Sequence, residues 1–176
     1  APIGALTAGL CGEQLAELGL TGITVPEEFG GLGMSALDFV LLAQECGYVA
    51  LPEPLVHTAL VAVPLLRELG GELAATWLPQ IAAGEAQVAV SLEQNLLVED
   101  AHTADLLLVQ HGEAWYALSP EQVELRHNES VDPSRRLYTV AMQPGIAPIA
   151  SGTRATELSG FALDRGALGS AAQALG

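Results

Sequence analysis

The chain has 176 residues, half of them apolar, and a formal net charge of −15. A chain of this length can bury a substantial core, and its apolar content excludes a disordered segment. Its six cations are all arginines, against 21 acids. Such a surface repels phosphate backbones, so nucleic-acid binding is not expected. No apolar run reaches the ~20 residues that a membrane-spanning helix needs.

The first residues of the chain indicate its compartment, and the cysteines and histidines indicate whether a metal site is expected. The first residues, Ala1-Pro2-Ile3-Gly4, place no basic region before an apolar one, which does not suit a signal peptide; a cytoplasmic location is expected. Cys11 and Cys46 lie in apolar helical patterns outside any CxxC spacing, so we expect reduced core thiols. The four histidines show no i, i+4 pairing, and no metal site is expected.

Helical periodicity fills the first half of the chain. A short helix over residues 13–18 is predicted to stop at Gly19. A second helix begins at Ser35, where Ser35 and Asp38 form a capping-box pattern, and ends at Gly47. We expect one face of this helix to be lined by Leu37, Val40, Leu41 and Gln44.

Two further helices follow a rigid connector at residues 51–54. One is predicted over residues 55–69, with Pro64 inside it as a kink or a split. Another is predicted over residues 72–83, with Pro79 as a bend and Gly84 at its end.

The pattern changes at Glu85, after which the periodicity falls toward two and valine, threonine and aromatic residues become more frequent. Arg165 begins a second helical stretch. The predicted fold class is α+β: an N-terminal helical domain over residues 1–84, a small antiparallel β-barrel or sandwich over 85–164, and the start of a truncated C-terminal helical domain over 165–176. The predicted strands are Gln87–Leu92, Asp105–Gln110, Ala114–Ser119, Val123–Arg126, Leu137–Met142 and Glu157–Leu163.

Three stretches of the chain resemble the acyl-CoA dehydrogenase family. The block Gly19–Met34 is similar to the family's G-x-x-G-x-x-x-P-E-x-x-G-G-x-G loop, and residues 45–85 are similar to its E-x-G…P-E-P…L-P-x-x-A-x-G-E run, especially in branches acting on steroid or other bulky acyl groups. Residues 104–109 and 132–136 resemble the A-D-x-x-x-V strand and D-x-x-R turn of its middle domain.

The resemblance implies α,β-desaturation of an acyl-CoA thioester, with a hydride passed to FAD and on to an electron-transfer flavoprotein. It also implies a homo- or hetero-oligomer. The family's catalytic glutamate lies in the C-terminal helical domain, so no catalytic residue is assigned here. The adjacent acids Glu27 and Glu28 are interpreted as solvated residues of a structural loop.

The chain departs from the family where the flavin segment, A-x-x-x-T-E-P-x-x-G-S-D, is expected. Leu92 occupies the threonine position and has no hydroxyl for a flavin ring. The resemblance places cofactor contacts at Leu92, Glu93, Val98 and Glu99. Two alternatives remain: residues near Asn95 are omitted from this chain, or it is a non-catalytic subunit of a heteromeric enzyme that has lost its own flavin segment.

Overall fold

A computed structural model describes residues 14–52, 54–94, 97–132 and 134–176. These residues form two compact units. One comprises the described residues up to Ala86 together with Ala162–Gly176, and the other comprises Gln87–Phe161. None of the described helices combines the length and the apolarity that crossing a bilayer requires.

The first unit is helical. Residues 14–17 are helical, in agreement with the predicted short helix, and Glu27–Phe29 forms a 3₁₀ turn. The helices that follow are α1 (Ala36–Tyr48), α2 (Leu55–His57), α3 (Val63–Leu69) and α4 (Gly71–Ala82). The last helix of the chain, α5 (Thr153–Leu175), begins in the second unit and ends in the first.

The N-terminus of α1 forms as the sequence predicts. The Asp38 amide donates to Ser35 Oγ at 3.3 Å, and the Ser35 amide donates to Asp38 Oδ2 at 3.0 Å. This reciprocal capping box satisfies two of the amides that a helix start leaves without partners. The hydrogen bonds from Ser35 lower the pKa of Asp38, which keeps the cap charged.

The face of α1 lined by Leu37, Val40, Leu41 and Gln44 packs only in part, with Val40 against the core of this unit. Leu37 and Leu41 are 79% and 70% exposed, whereas Phe39, Ala43 and Cys46 are buried. Both sets fit a helical period, so the apolar pattern alone could not select between them. The core of this unit joins the buried α1 residues to Ile23, Leu55, Val56, Ala59, Leu60 and Ala172.

The interruption predicted at Pro64 takes the form of a change in helix type. Between α2 and α3, residues Thr58–Ala62 are π-helical, and the Val63 amide donates to the Thr58 carbonyl. In this i→i−5 register the Ala59 carbonyl would accept from residue 64, but proline has no N–H. Thr24 Oγ1 donates to that carbonyl instead, at 2.8 Å. Pro79 leaves α4 continuous from Gly71 to Ala82.

Thr24→Val should therefore lower the free energy of unfolding by about 1–3 kcal/mol, because it keeps the shape but leaves a buried carbonyl without a donor. Thr24 is 4% exposed, so water cannot replace the hydroxyl. Thr21→Val is the matched control, since its hydroxyl makes a longer, 3.3 Å bond to the Ala82 carbonyl at a half-buried position. Urea denaturation of both variants measures the difference; equal losses would contradict this role for Thr24.

The glycine-rich block folds back on itself. The Leu32 amide donates to the Gly22 carbonyl at 3.0 Å, the Gly33 amide to the Val25 carbonyl at 2.8 Å, and the Met34 amide to the Ile23 carbonyl at 2.9 Å. Its two arms, 22–25 and 31–34, are therefore held together by main-chain bonds. The carboxylates at its tip, Glu27 and Glu28, are exposed, as the sequence predicted.

The described residues of the second unit form two sheets. Their strands are β1 (Val88–Ser91), β2 (Val98–Glu99), β3 (Leu106–His111), β4 (Ala114–Leu118), β5 (Val123–Asn128), β6 (Leu137–Met142) and β7 (Ala150–Ser151). A four-stranded sheet has the order β1-β3-β4-β7, and a three-stranded sheet has the order β2-β6-β5. These pairs are antiparallel except β1 with β3, which is parallel and departs from the predicted antiparallel arrangement.

Alternating residues of these strands build the core of the second unit. Buried side chains from β1, β2, β3 and β4 are joined by half-buried apolar side chains from β5 and β6. Along β6 the residues that pack are Tyr138, Val140 and Met142, which share one face because side chains alternate along a strand. The predicted α+β class, with helices followed by a small sheet domain, is confirmed.

The predicted strand Glu157–Leu163 is wrong: these residues lie inside α5. Ala155, Leu158 and Ala162 are buried at the three- and four-residue spacing of a helix. The buried Trp115 indole N–H donates to the Ala155 carbonyl at 3.2 Å and to Ser159 Oγ at 3.1 Å, which fixes the first turns of α5 within this unit. The sequence also missed the two-residue strands β2 and β7.

Candidate functional site

The first pair of predicted cofactor residues lies at the end of β1. Leu92 is half-buried and Glu93 is exposed. The Glu93 amide donates to Gln110 Oε1 at 3.1 Å, and Gln110 Nε2 donates to the Gly112 carbonyl at 3.3 Å. The main chain at Glu93 is thus tied to the end of β3 by a side chain of the same unit.

The second pair forms β2, which lies against β1. Val98 is 3% exposed and belongs to the core of the unit. Glu99 is exposed and forms an ion pair with Arg135. β2 pairs with β6 through Val98 and Glu99, and this pairing holds the segment on the three-stranded sheet. Asn95, next to which the sequence suggested omitted residues, lies outside the described residues.

Next to β2 the fold assembles a cluster that sequence reasoning missed. The rings of His102 and Tyr138 stack with centroids 5.0 Å apart, and His127 meets Tyr138 edge-on at 5.3 Å. Arg136 Nη1 lies 3.0 Å from His102 Nε2, and Arg136 Nε lies 3.8 Å from Asp100 Oδ1. We call these five side chains the His102 cluster. No local spacing could have revealed it, because the pairing of β5, β6 and the turn after β2 creates it.

Burial dominates the electrostatics of this cluster. Partial burial raises the pKa of Asp100, and the positive charge of Arg136 opposes that rise. Partial burial also lowers the pKa of His102, and Arg136 lowers it further. Asp100 has a φ of +50°, a left-handed conformation that aspartate tolerates better than most residues.

In the turn before β6, the side chains of Asp132 and Arg135 bond to different partners. Asp132 Oδ1 accepts from the Ser134 amide at 2.9 Å and from Ser134 Oγ at 2.7 Å, which lowers the pKa of Asp132. The Arg135 guanidinium donates to Glu99 instead. The turn is therefore closed by a serine, which leaves the arginine to anchor β2.

The side chains of the four predicted cofactor residues offer no hydrogen-bond donor to a flavin ring. The Leu92 side chain has no hydrogen-bonding group, and the Glu93 amide already has Gln110 as its acceptor. Val98 lies in the core, and the Glu99 carboxylate is paired with Arg135. The threonine hydroxyl of the family's flavin segment therefore has no side-chain replacement among these four residues.

The remaining candidate groups are the cysteines and the possible metal ligands. Cys46 is buried, and burial raises the pKa of its thiol, which disfavours the reactive thiolate; Cys11 lies outside the described residues. Within the described ranges, no group of three or more His, Cys, Asp or Glu side chains is placed to hold a metal ion.

Comparison with known proteins agrees with this architecture. Residues 9–85 match the model of the acyl-CoA dehydrogenase N-terminal domain. The chain is 36% identical over 108 residues to (2S)-methylsuccinyl-CoA dehydrogenase of Cereibacter sphaeroides, covering 58% of this chain and 19% of that protein. It is 28% identical over 156 residues to acyl-CoA dehydrogenase IpdE2 of Mycobacterium tuberculosis, covering 83% and 47%.

The fold extends the likeness to both units. A solved structure of the Tcur3481-Tcur3483 steroid ACAD (G363A variant) superposes with a TM-score of 0.76 at 20% identity, covering 92% of this chain and 52% of that one. The helical unit followed by the two-sheet unit is thus the fold of acyl-CoA dehydrogenases. Residues 9–85 match the N-terminal domain of the acyl-CoA dehydrogenase family, and the relatives and the fold support the family resemblance that the motifs predicted. It spans less than half the length of each curated relative and about half of the solved structure.

Proposed function

We propose that this chain is part of an enzyme that desaturates an acyl-CoA thioester between its α and β carbons and passes the electrons through FAD to an electron-transfer flavoprotein. The observation that carries the proposal is the match of residues 9–85 to the family's N-terminal domain, in a chain whose helical and sheet units both have the family fold. In such an enzyme FAD would supply the hydride acceptor, and the thioester would acidify the α-proton. The residues described here contribute the scaffold.

The acyl group is proposed to be bulky. The sequence run over residues 45–85 is similar to the family's run, especially in branches acting on steroid side chains or other bulky acyl groups, and one structural relative is described as a steroid ACAD. Long-chain, branched and steroid-derived CoA thioesters compared at equal concentration test this. Turnover confined to straight short-chain thioesters would contradict the substrate class.

A second candidate role is favoured by the geometry after β1: a structural subunit that does not hold FAD by this segment. Leu92 lacks a hydroxyl, and the Glu93 amide is committed to Gln110. The name Tcur3481-Tcur3483 couples two chains in one steroid ACAD. By analogy, we propose that this chain assembles with a homologous chain that carries the working flavin segment.

Flavin stoichiometry separates the two roles. The full-length protein that contains this chain is purified alone and with a co-expressed homologue, and FAD is counted per chain from its absorbance and the protein concentration. The structural-subunit role predicts a colourless protein alone and FAD bound only in the complex. One FAD per copy of this chain when purified alone would overturn that role and leave the dehydrogenase proposal intact. A complex that reduces no electron acceptor with any acyl-CoA would overturn the dehydrogenase proposal itself.

A further inference from the structure

The His102 cluster has a geometry that fixes the protonation state of one histidine. Arginine has only donors, so the 3.0 Å contact between Arg136 Nη1 and His102 Nε2 requires a lone pair on Nε2. His102 is therefore neutral and carries its proton on Nδ1. A proton on Nε2 would oppose two N–H groups, and protonation of both ring nitrogens would in addition place two cations side by side.

The same arginine ties down the segment that follows β2. The Asp100 amide donates to the Arg136 carbonyl at 2.9 Å, and the Thr103 amide donates to the Asp100 carbonyl at 3.0 Å. The Arg136 guanidinium lies between His102 and Asp100, and His102 stacks on Tyr138. The turn 100–103 is thus fastened beside β6 by a main-chain bond and by the Arg136 side chain, whose contact with His102 depends on a neutral imidazole.

We propose that His102 and Arg136 form a pH-sensitive latch that holds β2 and the turn 100–103 against β6 while His102 is neutral and loosens them when His102 is protonated. The latch acts on the strand that contains Val98 and Glu99, next to the end of β1. A change in acidity therefore alters the order of this segment.

The charges around His102 make it the group that responds in mild acid. Arg136 faces it directly, His127 approaches from β5 across Tyr138, and Asp100 is the neighbouring acid; Arg135 and Glu99 neutralise each other on the adjacent residues. Arg136 and His127 disfavour a second positive charge, whereas Asp100 favours it. Arg136 remains charged at every pH of interest.

The sign of the effect follows from the pKa of His102, which is lowered below its ordinary 6.5 in the folded chain. The unfolded chain binds this proton more readily, so the contribution of His102 to stability is complete above about pH 6.5. It is lost as the pH falls from there through the lower folded value. The latch is closed at neutral pH and opens on acidification.

Amide hydrogen exchange of the full-length protein between pH 5 and pH 8 tests the latch. Protection factors corrected for intrinsic exchange should fall several-fold for residues 98–103 on acidification, and less for the β5–β6 pair. His102→Asn, whose amide oxygen accepts from Arg136 without titrating, should remove this pH dependence. His127→Asn should retain it.

Two outcomes would overturn the latch. One is His102→Asn exchanging with the same pH dependence as the unmodified protein. The other is a nitrogen NMR spectrum at neutral pH that shows the proton of His102 on Nε2, since that tautomer cannot accept from Arg136.

Discussion

Gly47→Ala is expected to lower the free energy of unfolding by about 3 kcal/mol, the upper range for inserting a methyl group where no space exists. Gly47 lies near the end of α1, where α5 crosses it backbone to backbone. A Cβ built on Gly47 meets the Gln173 carbonyl oxygen and lies 2.7 Å from its carbonyl carbon and 2.8 Å from its Cα. These are main-chain atoms of a long helix, so relief requires moving α5 away from α1.

A second helical glycine provides the matched control. Gly160 lies within α5, where an added Cβ would have no neighbouring atom within 4 Å, and it has no left-handed φ. Gly160→Ala should raise stability by up to ~1 kcal/mol, because alanine is the better helix former. Denaturant midpoints of the two variants should therefore move in opposite directions. If Gly47→Ala also moved toward higher denaturant, the close crossing of α1 and α5 would be refuted.

Gly31→Ala is expected to cost about 3 kcal/mol or more, because Gly31 lies where the two arms of the glycine-rich block touch. A Cβ at this position meets the Val25 carbonyl oxygen and lies 2.5 Å from the Val25 Cβ and 2.6 Å from the Gly22 carbonyl oxygen. Those atoms cannot retreat while the amides of Leu32 and Gly33 hold the arms together. The variant must break main-chain hydrogen bonds next to the buried Thr24.

The neighbouring glycine separates crowding from backbone strain. Gly30 has a φ of +82° but no atom within 4 Å of an added Cβ, so Gly30→Ala should cost only ~1–2 kcal/mol for a left-handed alanine. Circular dichroism during urea denaturation ranks the two variants. A Gly30 variant as unstable as the Gly31 variant would show that backbone conformation, and not contact between the arms, makes glycine necessary here.

Local patterns predicted the features that depend on neighbouring residues. The capping box of Ser35 and Asp38 was predicted because both partners lie within one helical turn. The strand Leu137–Met142 was predicted with its observed bounds, because alternation along one strand is a local property. The resemblance to the family was readable from the glycine-rich block, because its motif is contiguous in the sequence.

The same local reasoning failed where distant residues decide the outcome. Residues 157–163 are short and apolar enough to suit a strand or a helix, and Trp115 favours the helix by bonding Ala155 and Ser159 from another part of the chain. The candidate site shows the same limit. The sequence identified Leu92 as the departure from the family's flavin segment, but it could not show that Gln110, on a different strand, accepts from the Glu93 amide.

The sequence alone determined the fold class, the helix caps, most strands and the family, because each of these is encoded in residues close together along the chain. Only the tertiary structure decided which face of α1 is buried, how Thr24 compensates for Pro64, and how His102, Arg136 and Tyr138 come together. Those contacts join residues more than thirty positions apart, and their geometry depends on strand register and helix packing, which no local pattern specifies.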